Sequence, residues 1–291
     1  MRGLFGWWRD PWRRPWGLLL VTVLYLAWSL LPVLVAALFS FNAGRSRTTW
    51  QGFSMRWYYG DPLRSVWHDA SLHTALTHTL WLGVVATAVT IPLGVAMALG
   101  LDRWRGPLPA GANLAVLVSF VLPEILIAVS LLFVVTVLTT PLKLGTSGQV
   151  IGLVTYQLSY PVVIVRARLL TIGRDYEEAA VDLGASPFGA VRRVLLRMLV
   201  PAIFASAVLV FADVIDDFVI VRYLSGDSST EPVSVKVYDT ARAAPTPALN
   251  ALTTLLLLAS LLAVVIGFLA YRWFTRGEKE GRGLDVFTGE A

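Results

Sequence analysis

The sequence predicts an all-α integral membrane protein with six transmembrane helices, on three observations. Of 291 residues, 56% are hydrophobic and only 15% charged, where a soluble domain carries about 25% charged residues. Six stretches hold the run of about 20 mostly apolar residues that a bilayer-crossing helix needs. The lysines and arginines also fall unevenly on the segments between those stretches, as the inside-positive bias of membrane proteins requires. The apolar content and aperiodic glycines exclude a disordered or collagenous chain. There is no cysteine, which excludes disulfides, thiolate zinc sites and cysteine nucleophiles. The formal net charge of +5 fits the loop bias better than nucleic-acid binding, so no nucleic-acid partner is expected.

In chain order the stretches are roughly Gly17–Phe41, Ala75–Leu101, Leu108–Thr139, Gln149–Val165, Met198–Leu224 and Ala248–Tyr271. Arg13 and Arg14 precede the first, as in a signal peptide. Its apolar core exceeds the roughly 7–15 residues of a signal sequence, so it reads as an uncleaved anchor. Trp7, Trp8, Trp12 and Trp16 before it suit the headgroup layer. The chain thus divides into a basic, Trp-rich N-terminus (1–16), the first helix (17–41), an outside segment (42–71), the remaining transmembrane body (72–271) and a tail (272–291). The 42–71 segment is too short to be an independent domain. With the N-terminus in the cytoplasm, sixteen Lys and Arg fall inside and seven outside, Arg222 being ambiguous. Both termini are therefore expected in the cytoplasm.

The fourth stretch is short and polar, with Tyr156, Gln157, Ser159, Tyr160 and Pro161. Pro161 deprives the Gln157 carbonyl of its helical donor, which suits a helix inside a bundle. Tyr156 and Tyr160, at i and i+4, can stack on a cation; simple interior packing explains them equally well. Glu124, beside Pro123 in the third stretch, is a weaker candidate of the same kind. The fifth stretch carries Asp213, Asp216 and Asp217. Each carboxylate costs about 2.5–3.5 kcal/mol at a helix centre, so together they must face a cavity, a partner helix or water. Carboxylates clustered on a pathway suit a cationic solute; the alternative is hydrogen bonding at a helix interface or a position near the outer boundary.

Between the fourth and fifth stretches, 166–197 is the longest inside connection. Glu and Ala favour helix over Asp175–Leu183, with Tyr176, Ala180 and Leu183 on one face. Gly184 can end it with a positive φ, and Ser186-Pro187 form an N-cap and first-turn pair for the next helix. Such a short helix fits either a groove of a partner or the membrane interface. No G-x-x-x-x-G-K-[ST], H-E-x-x-H or G-x-S-x-G pattern occurs, and His68, His73 and His78 are spaced five apart, which scatters them around a helix. No catalytic, metal or cofactor site is expected on this chain.

At these residues a resemblance enters. Glu178-Ala179-Ala180-(x3)-Gly184, continued by Ala185-Ser186-Pro187, resembles the EAA motif of the membrane subunits of type I binding-protein-dependent ABC importers. Asp216-Asp217-Phe218-Val219-Ile220 and Asn250-Ala251-Leu252-Thr253-Thr254-Leu255-Leu256-Leu257 are similar to the spermidine/putrescine permease branch, specifically its second permease. The likeness spans about residues 70–271. In one departure, Leu196-Arg197 stands where that family usually has Leu-Pro, the proline falling at Pro201.

The resemblance implies a permease forming half of a translocation pathway in a bacterial plasma membrane, with a cytoplasmic coupling helix between helices 4 and 5. It implies Glu178, Ala179, Ala180 and Gly184 as the contact core for an ATPase. Glu177, Asp182 and Ser186 would lie at its edge, and Ala185 and Pro187 in the turn that follows. Partners would be a second homologous permease subunit, two ATP-binding subunits, an extracytoplasmic solute-binding protein and the lipid bilayer. ATP and magnesium would be used by the partner subunit, with no cofactor on this chain. Polyamines, or a similar small organic cation, are the solute it implies. The competing class is a stand-alone secondary transporter or channel for a cationic solute, which would not need the 175–187 helix.

Overall fold

The computed structural model describes residues 16–46, 48–104, 106–137, 142–243 and 246–275. The basic N-terminal arginines with Trp7, Trp8 and Trp12, and the tail basic residues from Arg276 onward, lie outside the described residues. In order the helices are α1 (Trp16–Phe39), α2 (Ala70–Arg103), α3 (Pro107–Val121), α4 (Glu124–Val137), α5 (Thr146–Gln157), α6 (Ser159–Ile172), α7 (Asp175–Asp182), α8 (Pro187–Ala190), α9 (Leu196–Asp216), α10 (Val219–Leu224), α11 (Val233–Ala243) and α12 (Pro247–Thr275). Among the described residues, five helical stretches are long and apolar enough to cross a membrane, or six if the bent α3–α4 pair counts as one.

The chain divides into two compact units, one of residues up to 70 together with 240–255, the other of 71–239 together with 256 onward. In the first, α1 has no buried residue, as expected of a helix whose surroundings are lipid or a partner. The segment after it is held by two polar hubs. Asn42 accepts from the Gln51 amide, donates to the Ser46 and Thr49 carbonyls, and its own carbonyl accepts from Trp57 Nε1 at 2.7 Å. Asp61 accepts from Arg56 and from the Leu63 and Arg64 amides. The Arg56 guanidinium, ahead of those amides, holds the Asp61 carboxyl below its usual range.

In the second unit, glycines permit close helix approach, as is usual where no aqueous driving force separates helix–helix from helix–lipid contact. A Cβ on Gly83 of α2 would sit 2.7 Å from Ile215 Cγ2 on α9, and one on Gly152 of α5 would sit 2.7 Å from Ile220 Cγ2 on α10. Leu82, Leu153, Val165, Leu195, Leu199, Val210 and Ile220 are fully buried in the resulting core.

Three expected boundaries shift. The third stretch is not one helix: it bends by 110° between α3 and α4, where Leu122 is extended ahead of Pro123, as a residue before proline prefers. The fifth breaks at Asp217-Phe218, leaving α10 as a separate short helix. The connection expected over 166–197 is mostly helix, because α6 runs to Ile172 and α8 starts at Pro187. Runs of hydropathy stop at the arginines, but these helices are amphipathic there: Leu169, Ile172 and Leu195 are buried while Arg192 and Arg193 are exposed. A π-turn over Val191–Leu195 immediately precedes Leu196-Arg197, and Pro201 lies inside α9.

Candidate functional site

Three helical interruptions fall together in the second unit: Leu122-Pro123 between α3 and α4, Leu158 between α5 and α6, and Asp217-Phe218 between α9 and α10. The α4, α5 and α10 segments pack on one another, as do α6 with α9 and α3 with α6. Interrupted backbone at membrane depth is tolerated where it lines protein or a cavity, and paired half-helices commonly frame the solute site of transporters. The interruptions are unequal. Leu158 keeps helical dihedrals and its amide still bonds the Val154 carbonyl at 3.0 Å, so Pro161 kinks nothing sharply. Asp217 instead turns extended, with φ −55° and ψ 131°.

Each interruption delivers polar side chains. Glu124 begins α4, where the helix N-terminus favours a carboxylate. Its carboxyl lies beside that of Asp217, close enough for each to feel the other's charge. Asp217 is only 8% exposed; its Oδ1 accepts from the Val221 amide at 3.2 Å and its backbone carbonyl accepts from Ser234 Oγ of α11 at 2.6 Å. Asp213 Oδ2 accepts from Gln157 Nε2 at 2.5 Å. Tyr156 lies beside Tyr160 and in the field of both Glu124 and Asp213. The tyrosine rings meet edge-on at 6.3 Å, and Phe120 meets Tyr160 at 5.5 Å.

The structure therefore joins Glu124, Asp213, Asp217, Tyr156 and Tyr160 into one cluster. Asp216 is exposed and makes none of these bonds. No lysine or arginine occurs within 70–101, 121–137, 146–165 or 198–221, so these carboxyls have no basic counter-ion from those segments.

Two glutamines belong to the same framework. Gln157 is wholly buried; it was legible in the sequence only as one more polar residue of a polar helix. Gln149, also wholly buried, clips four segments. Its Nε2 is shared among the Val221 carbonyl, Ser225 Oγ and the Thr230 carbonyl, so its Oε1 accepts from His78 Nε2 of α2 at 2.8 Å. Nearby, Asp227 caps the turn Ser228–Thr230, and the Ser229 hydroxyl and amide hold its carboxyl below the usual range.

The second region is the turn around α7. Asp175, Glu177 and Glu178 occupy its first turn, where negative charge complements the helix dipole. Its end is a Schellman closure: the Gly184 amide bonds the Val181 carbonyl at 2.8 Å and the Ala185 amide bonds Ala180 at 3.0 Å. That closure needs Gly184 at φ +89°, a conformation other residues resist. Ser186 then accepts from the Gly189 amide at 3.1 Å, with Pro187 in the first turn of α8.

Glu177 is ion-paired to Arg103 at the end of α2, and Arg174 donates to the Asp102 carbonyl at 3.1 Å. Ala180 and Ala185 are half-buried, whereas Glu178, Ala179, Asp182, Gly184, Ser186 and Pro187 are exposed. Leu183 is 90% exposed and Phe188 75%, an unusual display of carbon on a turn this well bonded.

The family model described as binding-protein-dependent transport system inner membrane component matches residues 90–280. The putrescine transport system permease protein PotI of Escherichia coli K12 is 32% identical over 279 residues, covering 94% of each chain. The spermidine/putrescine transport system permease protein PotC of the same strain is 32% identical over 260 residues, covering 88% of this chain and 94% of its own. Among solved structures, a bacterial ABC transporter involved in import of the acidic polysaccharide alginate matches with TM-score 0.70 at 14% identity, over 94% of this chain and 99% of that one. The MetNI methionine ABC transporter, in inward-facing form, matches with TM-score 0.53 at 20% identity over 70% of this chain and 94% of that one. These two likenesses show the fold, and the first three matches show the lineage. The chain belongs to the binding-protein-dependent transport system inner membrane components, the permease subunits of ABC importers.

Proposed function

We propose that this permease carries a polyamine, or a similar small organic cation, inward across a bacterial plasma membrane. The observation that carries this reading is the cluster of Glu124, Asp213 and Asp217 at the helix interruptions, none of which is ion-paired to a lysine or arginine among the described residues. Asp217 is buried, Glu124 half-buried and Asp213 exposed; carboxylates drawn together and partly desolvated in this way demand a counter-charge, and a passing ammonium supplies one. Tyr156 and Tyr160 give that cation an aromatic wall, and Asp216 is an outlying charge beside the path. The relatives named for putrescine and spermidine support the same solute class.

Both termini lie in the cytoplasm in this reading, and α7 with its following turn is the coupling helix. Glu178, Ala179, Ala180 and Gly184 form its contact core. Ala185, Ser186 and Pro187 shape the turn, Asp182 flanks it, and Glu177 braces it through Arg103. The complex comprises this chain, a second homologous permease, two ATP-binding subunits and an extracytoplasmic solute-binding protein. ATP and magnesium act on the partner subunits, and this chain binds no cofactor.

The test is ATP-driven uptake by that complex in proteoliposomes. Labelled putrescine or spermidine should accumulate and a neutral solute of similar size should not. Equal uptake of both, or ATP-independent uptake by the permease alone, rejects the proposal, the latter in favour of a secondary transporter.

A further inference from the structure

Gln157 is fully buried, and its two amide atoms fare differently. The amide nitrogen donates to Asp213 Oδ2 at 2.5 Å. A carboxylate oxygen only accepts, so that bond fixes the orientation of the amide, and Oε1 must point away from Asp213. No donor among the described residues reaches Gln157 Oε1, and Glu124 Oε1 is likewise enclosed without a donor. Buried acceptors are almost always bonded. Here two stand unbonded in one cluster, on the elements flanking two of the three interruptions. A charge deficit alone would be met by any cation, but unpaired acceptors call for hydrogen-bond donors, and in a cation of this class those are N–H groups.

We propose that Gln157 determines specificity in this cluster, its free side-chain carbonyl acting with Glu124 to recognise the N–H donors of a primary ammonium group. This inference rests on the cationic-solute reading above and narrows it. A primary ammonium offers three donors and satisfies both free oxygens while neutralising the carboxylates. A quaternary ammonium of equal charge offers none, so it leaves Gln157 Oε1 and Glu124 Oε1 unpaired and still desolvated. A site built to bond an N–H strongly rejects an analogue without it for that reason. The division of labour is charge from Glu124, Asp213 and Asp217, and hydrogen-bond selection from Gln157.

The measurement is direct binding to the assembled transporter in lipid nanodiscs without its solute-binding protein, so that the external filter plays no part. The probes are labelled putrescine and its bis(trimethylammonium) analogue. The unmodified complex should bind putrescine roughly tenfold tighter or more, the factor expected from leaving a buried acceptor unpaired. Gln157→Met should reduce that preference to about twofold by weakening putrescine alone. Asp217→Asn, which leaves the Gln157–Asp213 bond in place, should weaken both cations and keep the preference, which separates selection by Gln157 from the charge of the cluster.

An unmodified complex that binds the two probes equally overturns the proposal without any variant having to fold, and leaves the cationic pathway standing. A Gln157→Met complex in which both probes weaken alike also overturns it. If neither cation binds the unmodified complex, the pathway reading itself fails and the specificity argument goes with it.

Discussion

At the α7 turn the backbone is closed by a Schellman motif and a side-chain N-cap, and beside exposed carboxylates it leaves large apolar side chains uncovered: Tyr176, Leu183 and Phe188. At the helix interruptions the contrast is in the atoms left over, since Gln157 and Asp217 are buried and the enclosed atoms without a partner are oxygens of Glu124 and Gln157. Each region is incomplete in its own currency. Exposed apolar surface on a rigid turn is completed by a protein surface, through burial of area. Enclosed acceptors without donors are completed by a small charged solute, through hydrogen bonds and charge. The two regions are also braced differently. The α7 turn is tied to α2 through Arg103–Glu177, so a push on it reaches a long helix, whereas the cluster sits where helices are already interrupted and small shifts change its geometry.

The largest expected effect comes from spoiling the α7 contact outright. Glu178→Arg combined with Gly184→Trp reverses a charge and forces a bulky residue into the φ +89° position, where strain of about 1–3 kcal/mol is expected. Co-purification of an ATP-hydrolysing subunit should be lost and uptake should vanish, while cation binding to the permease pair persists. Retention of that subunit by the double variant would mean that α7 is not the docking element. Next come Glu124→Gln and Asp217→Asn, which should each lower cation uptake roughly thirty-fold or more, the scale for removing one member of a buried charged contact. ATPase recovery should be unchanged. Asp216→Asn should have a smaller effect than either, because Asp216 is exposed and outside the bonded cluster. Reversal of that order would move the pathway to the exposed side of α9.

Legibility from the sequence followed the range of the interactions. The α7 turn was readable almost whole, because a helix, a C-terminal glycine, an N-cap serine and a proline are local signals acting over a few residues. The membrane class and the number of apolar stretches were readable from composition. The interruption at Leu122-Pro123 was hidden inside a long apolar run, where one proline does not tell a kink from a break, and the helical extensions at Arg166–Ile172 and Pro187–Arg197 were hidden because a one-dimensional average cannot tell an outward arginine from a loop arginine. The carboxylates were visible as costly residues, but their assembly with Glu124 joins positions some ninety residues apart in the chain. Gln157 was least legible of all. Its significance lies in one oxygen lacking a donor, which depends on how the other end of the same amide is bonded to Asp213.

Two smaller changes sharpen the contrast at α7. Arg103→Ala removes a half-buried pair with Glu177 worth about 1 kcal/mol. It should cut solute-stimulated ATP hydrolysis about fivefold, with partial recovery in Arg103→Lys and no change in cation affinity. The smallest effect is expected from Ser186→Ala, which deletes the hydroxyl that accepts from the Gly189 amide. An N-cap of this kind contributes about 1 kcal/mol, so exchange of the Gly189 amide should speed up about fivefold while uptake stays near that of the unmodified chain. The reason is that Ser186 acts on its own helix rather than on a partner: its oxygen is already engaged inward, and the exposed carbon of Leu183 and Phe188 remains in place to be covered. If Ser186→Ala instead released the ATP-binding subunit, the hydroxyl would have to be a contact of the interface itself, and the division between a backbone closed within the chain and a surface completed from outside would fail at that residue.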